Sequence, residues 1–160
     1  MTTRQPIRRA RADEATAVAD LWFHSRQAAA PAIPPAAHTD DEVRAWFRDV
    51  VLPNDEVWVI GPHQTPEAMM VLSGDWVEQL YVSPDHQRKG HGSRLISFAQ
   101  AKRRELRLWT FEANTHARAF YEKLRFSPAG APRSDNEEHA PALYYRWTAV
   151  EASFSGHRAR

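Results

Sequence analysis

The chain has 160 residues, 42% hydrophobic and 26% charged, which is material for one ordinary core and too little for a second. Lysine plus arginine number 21 against 20 aspartate plus glutamate, a formal charge of +1, so no global field draws the protein to nucleic acid or to an anionic membrane. The absence of cysteine excludes a disulfide framework, thiol catalysis and the usual zinc cages. No stretch approaches the roughly 20 apolar residues that span a bilayer, and Met1 to Arg11 holds no apolar run. The expectation is one cytoplasmic domain over residues 1–150, with a flexible tail over 151–160.

Ile7 to Arg11 is a short candidate strand. An acidic start at Asp13 and Glu14, then apolar Val18, Leu21 and Trp22, predict a first helix ending near Gln27. Pro31, Pro34 and Pro35 forbid its continuation, so 28–38 is expected as a loop. Thr39 and Glu42 form a capping box ahead of Val43, Trp46, Phe47 and Val50, which fall at i, i+3, i+4 and i+7 and predict a second amphipathic helix ending at Pro53. Val57 to Ile60 and Ala68 to Leu72 flank a turn with Gly61, Pro62 and Pro66, as in a hairpin, and Trp76 to Val82 reads as a third, longer strand.

A helix is expected from about Gly92 to Leu106, with Leu95, Ile96 and Ala99 inward, and then a strand from Leu108 to Glu112. Ala117, Phe120, Tyr121 and Leu124 make another helical stripe, 128–141 reads as a polar loop, and Ala142 to Ala149 closes as a strand. The order is β-α-α-β-β-β-α-β-α-β. Its β-α-β crossover from Val82 to Leu108 implies two neighbouring parallel strands in an otherwise antiparallel sheet, an α+β fold with about four flanking helices.

Chemistry concentrates in Gln87-Arg88-Lys89-Gly90-His91-Gly92. Two glycines beside a helix start allow consecutive amides to point at phosphate oxygens, and Arg88 and Lys89 add charge. The third glycine of a dinucleotide fingerprint is missing, and no Gly-Lys-Ser/Thr follows, so the Rossmann and Walker readings fail. A bland turn would also account for the glycines alone. None of the eight histidines pairs as His-x-x-x-His with an acidic third ligand, so no metal site is expected. Arg103, Arg104 and Arg107 lack interleaved aromatic platforms and read as a solvated helix face, not a nucleic-acid patch.

In context the glycine loop says more. A strand ending Leu80-Tyr81-Val82-Ser83-Pro84, then Gln87-x-x-Gly90-x-Gly92 opening one helix, then Asn114-x-x-Ala117-x-x-Phe120-Tyr121 opening another, resembles the signature of the GNAT acyltransferases over Trp76 to Phe126. The resemblance implies acetyl-CoA as co-substrate and transfer of its acetyl group to a primary amine by direct attack. By the same resemblance, the amides of Gln87, Arg88, Lys89, Gly90, His91, Gly92 and Ser93 would take the pyrophosphate. The backbone of Leu80, Tyr81 and Val82 would pair with pantetheine, Asn114 would contact the cofactor arm, and Tyr121 would protonate the departing thiolate.

Each side-chain role has a structural competitor. Asn114 suits a helix N-cap, and Tyr121 suits the core side of its helix. Glu78 is the candidate base, or an exposed or structural carboxylate, or a charge that holds a cationic acceptor; period-2 alternation sets it with Leu80 and Val82 on one face unless a bulge intervenes. Relatives in this superfamily commonly end the second motif's helix with Gly-Phe, where this chain has Arg125-Phe126, so a different helix exit is expected. A non-catalytic acyl-CoA sensor or a partner-binding domain on the same fold is the competing class. The resemblance allows a homodimer, without an interface signature in the sequence.

Overall fold

Three consecutive apolar runs pair into the antiparallel meander on which the rest is built: β2 (Glu56–Ile60), β3 (Ala68–Ser73) and β4 (Trp76–Val82). In the computed structural model, which describes residues 4–150, the meander lies inside a seven-stranded sheet ordered β1-β2-β3-β4-β5-β7-β6. The tail expected over 151–160 falls outside the described residues. β3 is buried on both faces from Ala68 to Leu72, because helices cover both sides of the sheet there. β1 (Ile7–Arg9) pairs antiparallel with β2; at the other end β5 (Glu105–Phe111), β7 (Ala142–Thr148) and β6 (Ser127–Arg133) pair antiparallel in that order.

The alternation of the strands divides the apolar residues between two cores. On one face, α3 (His91–Lys102) and α4 (Thr115–Lys123) close over Ile60, Met70, Leu72, Leu106, Leu108 and Tyr145. On the other, α1 (Ala15–Ala28) and α2 (Asp40–Trp46) close over Val57, Val59, Met69 and Val71. Thr39 caps α2 as expected, its Oγ1 accepting from Glu42 N at 3.3 Å. The helix then widens into a π turn over Phe47–Val51 before a last turn at Leu52–Asn54. That turn rotates the stripe: Val43, Phe47 and Val51 are buried, while Trp46 and Val50, both expected inward, are 37% and 48% exposed.

β4 and β5 form the parallel pair joined through α3. Their ladder has one rung, Trp76 opposite Arg107, reinforced by Arg107 N donating to Asp75 O at 2.9 Å. Past that rung the strands part toward Val82 and Phe111, leaving a cleft in the sheet.

Three sequence expectations are corrected. α3 ends at Lys102, not near Leu106, because Arg103 is extended, and Leu106 and Leu108 belong to β5, where they alternate inward with Arg107. The stretch expected as loop from 128 holds β6, a strand with every residue exposed, two prolines and Gly130 at φ 79°; as an edge strand it has one partner and tolerates proline. The facing within β4 also differs. Val71 stands opposite Gln79 but Leu72 opposite Val77, so Glu78 is the extra residue of a β-bulge. Val77, Leu80 and Val82 consequently pack on one face, Gln79 and Tyr81 turn to the other, and Glu78 belongs to neither alternation.

The exit from α4 keeps the left-handed turn in spite of its arginine. Arg125 has φ 70°, Arg125 N donates to Glu122 O and Phe126 N to Tyr121 O, each at 3.1 Å, a Schellman motif with Arg125 where glycine is usual. Arg125→Gly is expected to raise stability by about 1 kcal/mol, read as a higher denaturant midpoint with an unchanged slope. Glu14, fully buried, carries a larger linkage. Its carboxylate accepts from Arg8 Nη1 at 2.7 Å and Nη2 at 2.9 Å, and from the amides of Arg11 and Gln64 at 2.9 and 3.1 Å. The Arg8 bonds above all hold its pKa at about 2 against an ordinary 4.5. The folded state therefore gains stability above the ordinary value and loses about 3 kcal/mol of it as pH falls toward 2. Thermal melts from pH 6 to pH 2 are expected to show that slope, and Glu14→Gln to flatten it.

Candidate active site

The glycine loop follows β4 by way of the short turn Pro84–His86 and leads into the first turn of α3. Its two glycines serve different needs. Gly90 is the N-cap at φ 81°, and nothing would meet a Cβ there, so its requirement is conformational. At Gly92 a Cβ would stand 3.2 Å from Phe120 Cζ, so the small residue lets α4 approach the loop. Arg88 is also left-handed at φ 67°. Arg94 N, the first amide of α3 with a helical partner, donates to Gly90 O at 3.0 Å. Ahead of it, His91, Gly92 and Ser93 occupy the first turn, where backbone donors lack intrahelical acceptors and favour an anion. Gln87 and Lys89 complete the loop. Ser93 also borders a shallow groove with Arg4, Gly90 and Arg94.

Leu80 and Val82 turn into the core beneath α3 and α4, and Tyr81 faces the opposite side. Beyond Trp76 the β5-facing edge of β4 has no strand partner among the described residues. Tyr121, 8% exposed, is wedged edge-on between Phe120 and Phe126 at centroid distances of 5.2 and 5.5 Å. Burial first, and then the neighbouring Tyr81, push its pKa up, so the hydroxyl holds its proton at neutral pH. Asn114 is the N-cap of α4, its Oδ1 accepting from Ala117 N at 3.2 Å.

The cleft has a volume of about 430 Å³, and Glu78, Gln79 and Tyr81 of β4 face Trp109, Thr110 and Phe111 of β5 across it. Partial burial, followed by the charge of Asp55, raises the pKa of Glu78. Sequence reasoning missed Arg26, which is 7% exposed in the cleft wall. Its Nη1 donates to Tyr81 Oη at 3.3 Å, and its Nη2 to Pro34 O at 3.1 Å and Glu138 Oε1 at 3.2 Å, while its guanidinium lies 4.6 Å from the Trp22 ring centroid. A charge four residues after Trp22 on the buried stripe of α1 was the available signal. Trp109 and Arg133 were missed as well; Arg133 sits 5.8 Å from the Trp109 ring centroid and donates to Asp135.

Arg26 joins the two loops that flank the cleft. His38 adds a second tie, 3.0 Å from Glu137 Oε2. In the loop after β6, Asp135 and Glu138 line the cleft, and Glu137 is not part of its lining.

The chain has relatives in both sequence and fold. Residues 53–128 match the profile of the acetyltransferase (GNAT) domain. The chain is 29% identical over 133 residues to the peptidyl-lysine N-acetyltransferase YjaB of Escherichia coli, covering 81% of this chain and 87% of that one. It is 25% identical over 146 residues to the peptidyl-lysine N-acetyltransferase YiaC of the same organism, covering 91% and 98%. The solution structure of apo YjaB superposes with a TM-score of 0.73 at 26% identity, covering 92% of this chain and 100% of that one. The structure of yncA from Salmonella typhimurium with its cofactor acetyl-CoA superposes with a TM-score of 0.63 at 19% identity, covering 93% and 96%.

The Asn114 cap has a measurable signature of its own. Asn114→Ala is expected to lower stability by about 1 kcal/mol, and Asn114→Ser to restore most of it, since a serine hydroxyl can accept the same amide. Thermal or chemical unfolding of the two variants reads the difference.

Proposed function

We propose that this chain is an acetyltransferase of the GNAT superfamily with acetyl-CoA as its co-substrate, on the match of residues 53–128 to that domain and the likeness to YjaB, and from this we infer the acceptor and the residue roles. The acceptor proposed is the side-chain amine of lysine in a peptide or protein. Supporting it are the names of the relatives and the carboxylate of Glu78 in the cleft wall, which suits a cation; Asp135 and Glu138 in the same wall are already paired with Arg133 and Arg26. We take the domain as residues 1–150 and the compartment as the cytoplasm.

The observation that carries the assignment is the one-rung β4–β5 pair with the glycine loop at its open end. In this proposal the first-turn amides at His91, Gly92 and Ser93 hold the pyrophosphate, with Gln87, Arg88, Lys89 and Gly90 shaping the loop and its charge. The free edge of Leu80, Tyr81 and Val82 pairs with the pantetheine amides. When bound, the co-substrate supplies a thioester carbonyl open to a neutral amine, with a thiolate as leaving group. Lysine's reference pKa near 10.4 means that the incoming amine must lose a proton; Glu78, whose bulge lifts it out of the strand's alternation, is placed to accept it, directly or through water. Tyr121, protonated in its buried site, supplies a proton to the leaving sulfur. Asn114 fixes the start of the helix that carries Tyr121.

Calorimetric titration with acetyl-CoA is expected to show binding that Gly90→Asp abolishes, since the new carboxylate strains the left-handed cap and repels the pyrophosphate. With a lysine-containing peptide as acceptor, Tyr121→Phe is expected to lower kcat about 100-fold and leave co-substrate affinity within about twofold. Turnover of small amines but not of lysine peptides would overturn the acceptor, and absence of acetyl-CoA binding by the parent protein would overturn the site.

A further inference from the structure

We propose that Glu67 is a positioning residue for the co-substrate: its carboxylate ties down both ends of the glycine loop and thereby sets the spacing of the amides that receive the pyrophosphate. The proposal rests on the loop assignment above. Glu67 stands just before β3 and outside the cleft. Its own backbone is fixed, the amide donating to Ile60 O at 2.7 Å and the carbonyl accepting from Ser83 N at 2.8 Å. Gly61 makes that fit possible, since a Cβ there would fall 2.6 Å from Glu67 N.

From this anchored position the side chain, 14% exposed, reaches both ends of the loop. Oε1 lies 3.0 Å from His86 Nε2, and Oε2 lies 3.0 Å from His91 Nε2 while also accepting from Gln5 Nε2 at 3.1 Å. His86 is the last residue before the loop and His91 the first of α3. Between these two points the chain has four residues, Gln87 to Gly90, and two of them, Arg88 and Gly90, are left-handed. Fixing both ends therefore removes most of the loop's remaining freedom, which a ligand would otherwise have to restrict on binding. Among the described residues each ring is held from one side: His86 Nδ1 and His91 Nδ1 are buried without a hydrogen-bond partner there.

A carboxylate behind an anion-binding loop opposes the anion by its charge. Its contribution to binding must therefore come through geometry, by way of the two imidazoles. Because the Glu67 carboxylate contacts the ends of the loop assigned to the phosphates and does not line the cleft that holds Glu78, its loss should weaken co-substrate binding and leave the chemical step in place.

The test is steady-state kinetics with the full chain, acetyl-CoA and a fixed lysine peptide. Glu67→Gln, which keeps the side-chain volume, is expected to raise KM for acetyl-CoA roughly tenfold with kcat within about twofold. The His86→Ala/His91→Ala double variant should reproduce that rise, and adding Glu67→Gln to it should do little more, because the carboxylate acts through those rings. A KM for Glu67→Gln within about twofold of the parent overturns the proposal. So does a full, additive effect of Glu67→Gln in the double variant, or a parallel fall in kcat and melting temperature with no change in KM. Gly90→Asp separates the two levels: if it abolishes binding while Glu67→Gln does nothing, only the clasp fails, whereas if it too leaves binding intact, the loop assignment itself fails.

Discussion

β4 and β5 hold one another at a single rung, and most of the molecule is arranged around that fact. Parallel neighbours joined by a crossover helix ordinarily continue their ladder along both strands. Here Trp76 meets Arg107 and the pairing stops. A continuous sheet would have filled the space between Tyr81 and Phe111; instead two strand edges face each other across a cleft, with unpaired backbone groups that need water or a ligand. The wedge is stable because each strand is secured on its far side, β4 along β3 and β5 along all seven residues of its pairing with β7. The loop into α3 follows the end of β4, so the unsatisfied amides of that helix come shortly after the strand's free edge in the chain.

The bulge at Glu78 acts on this frame at the scale of a single residue. Without it, strict alternation would turn either Val77 or the pair Leu80 and Val82 away from the α3 and α4 core. With it, all three stay inside while Glu78 leans into the cleft. One extra residue thus reconciles a packed strand with a carboxylate in the cleft wall. Arg26 makes a comparable accommodation on the opposite wall, where a buried guanidinium is tolerable because Glu138, Tyr81 and a carbonyl share its charge and hydrogen bonds.

Where a feature depended on neighbours in sequence, it was legible before the structure. The apolar run of β3, the Thr39 cap and the glycine loop are local patterns with local causes, and the order of elements up to α4 followed from them, with β6 missing. Residues 105–108, Glu-Leu-Arg-Leu, fit either a helix or a strand, and the pairing of β5 with β7 decided between them. β6 carries no buried residue, so nothing in its composition distinguished it from a loop. The facing of Glu78 depended on a register offset against β3, and Arg26 meets Glu138 across 112 positions; neither is written in a periodicity. The π turn in α2 moved the inward valine from Val50 to Val51, a change set by how α2 seats against β2 and β3.

The weakest-looking element of the sheet has a consequence for how the protein can change. β6 ends the sheet with Pro128, Pro132 and Gly130 among its seven residues, so its outer edge offers few amides to a foreign strand and resists edge-to-edge aggregation. The loop that follows it carries Asp135 and Glu138 into the cleft. Because that loop hangs from an edge already guarded against mispairing, it can lengthen, shorten or exchange its charges without exposing a sticky border. The loop that brings Asp135 and Glu138 to the cleft is therefore the part of its wall with the greatest freedom to diverge, while the wall formed by β4 is held by the buried meander.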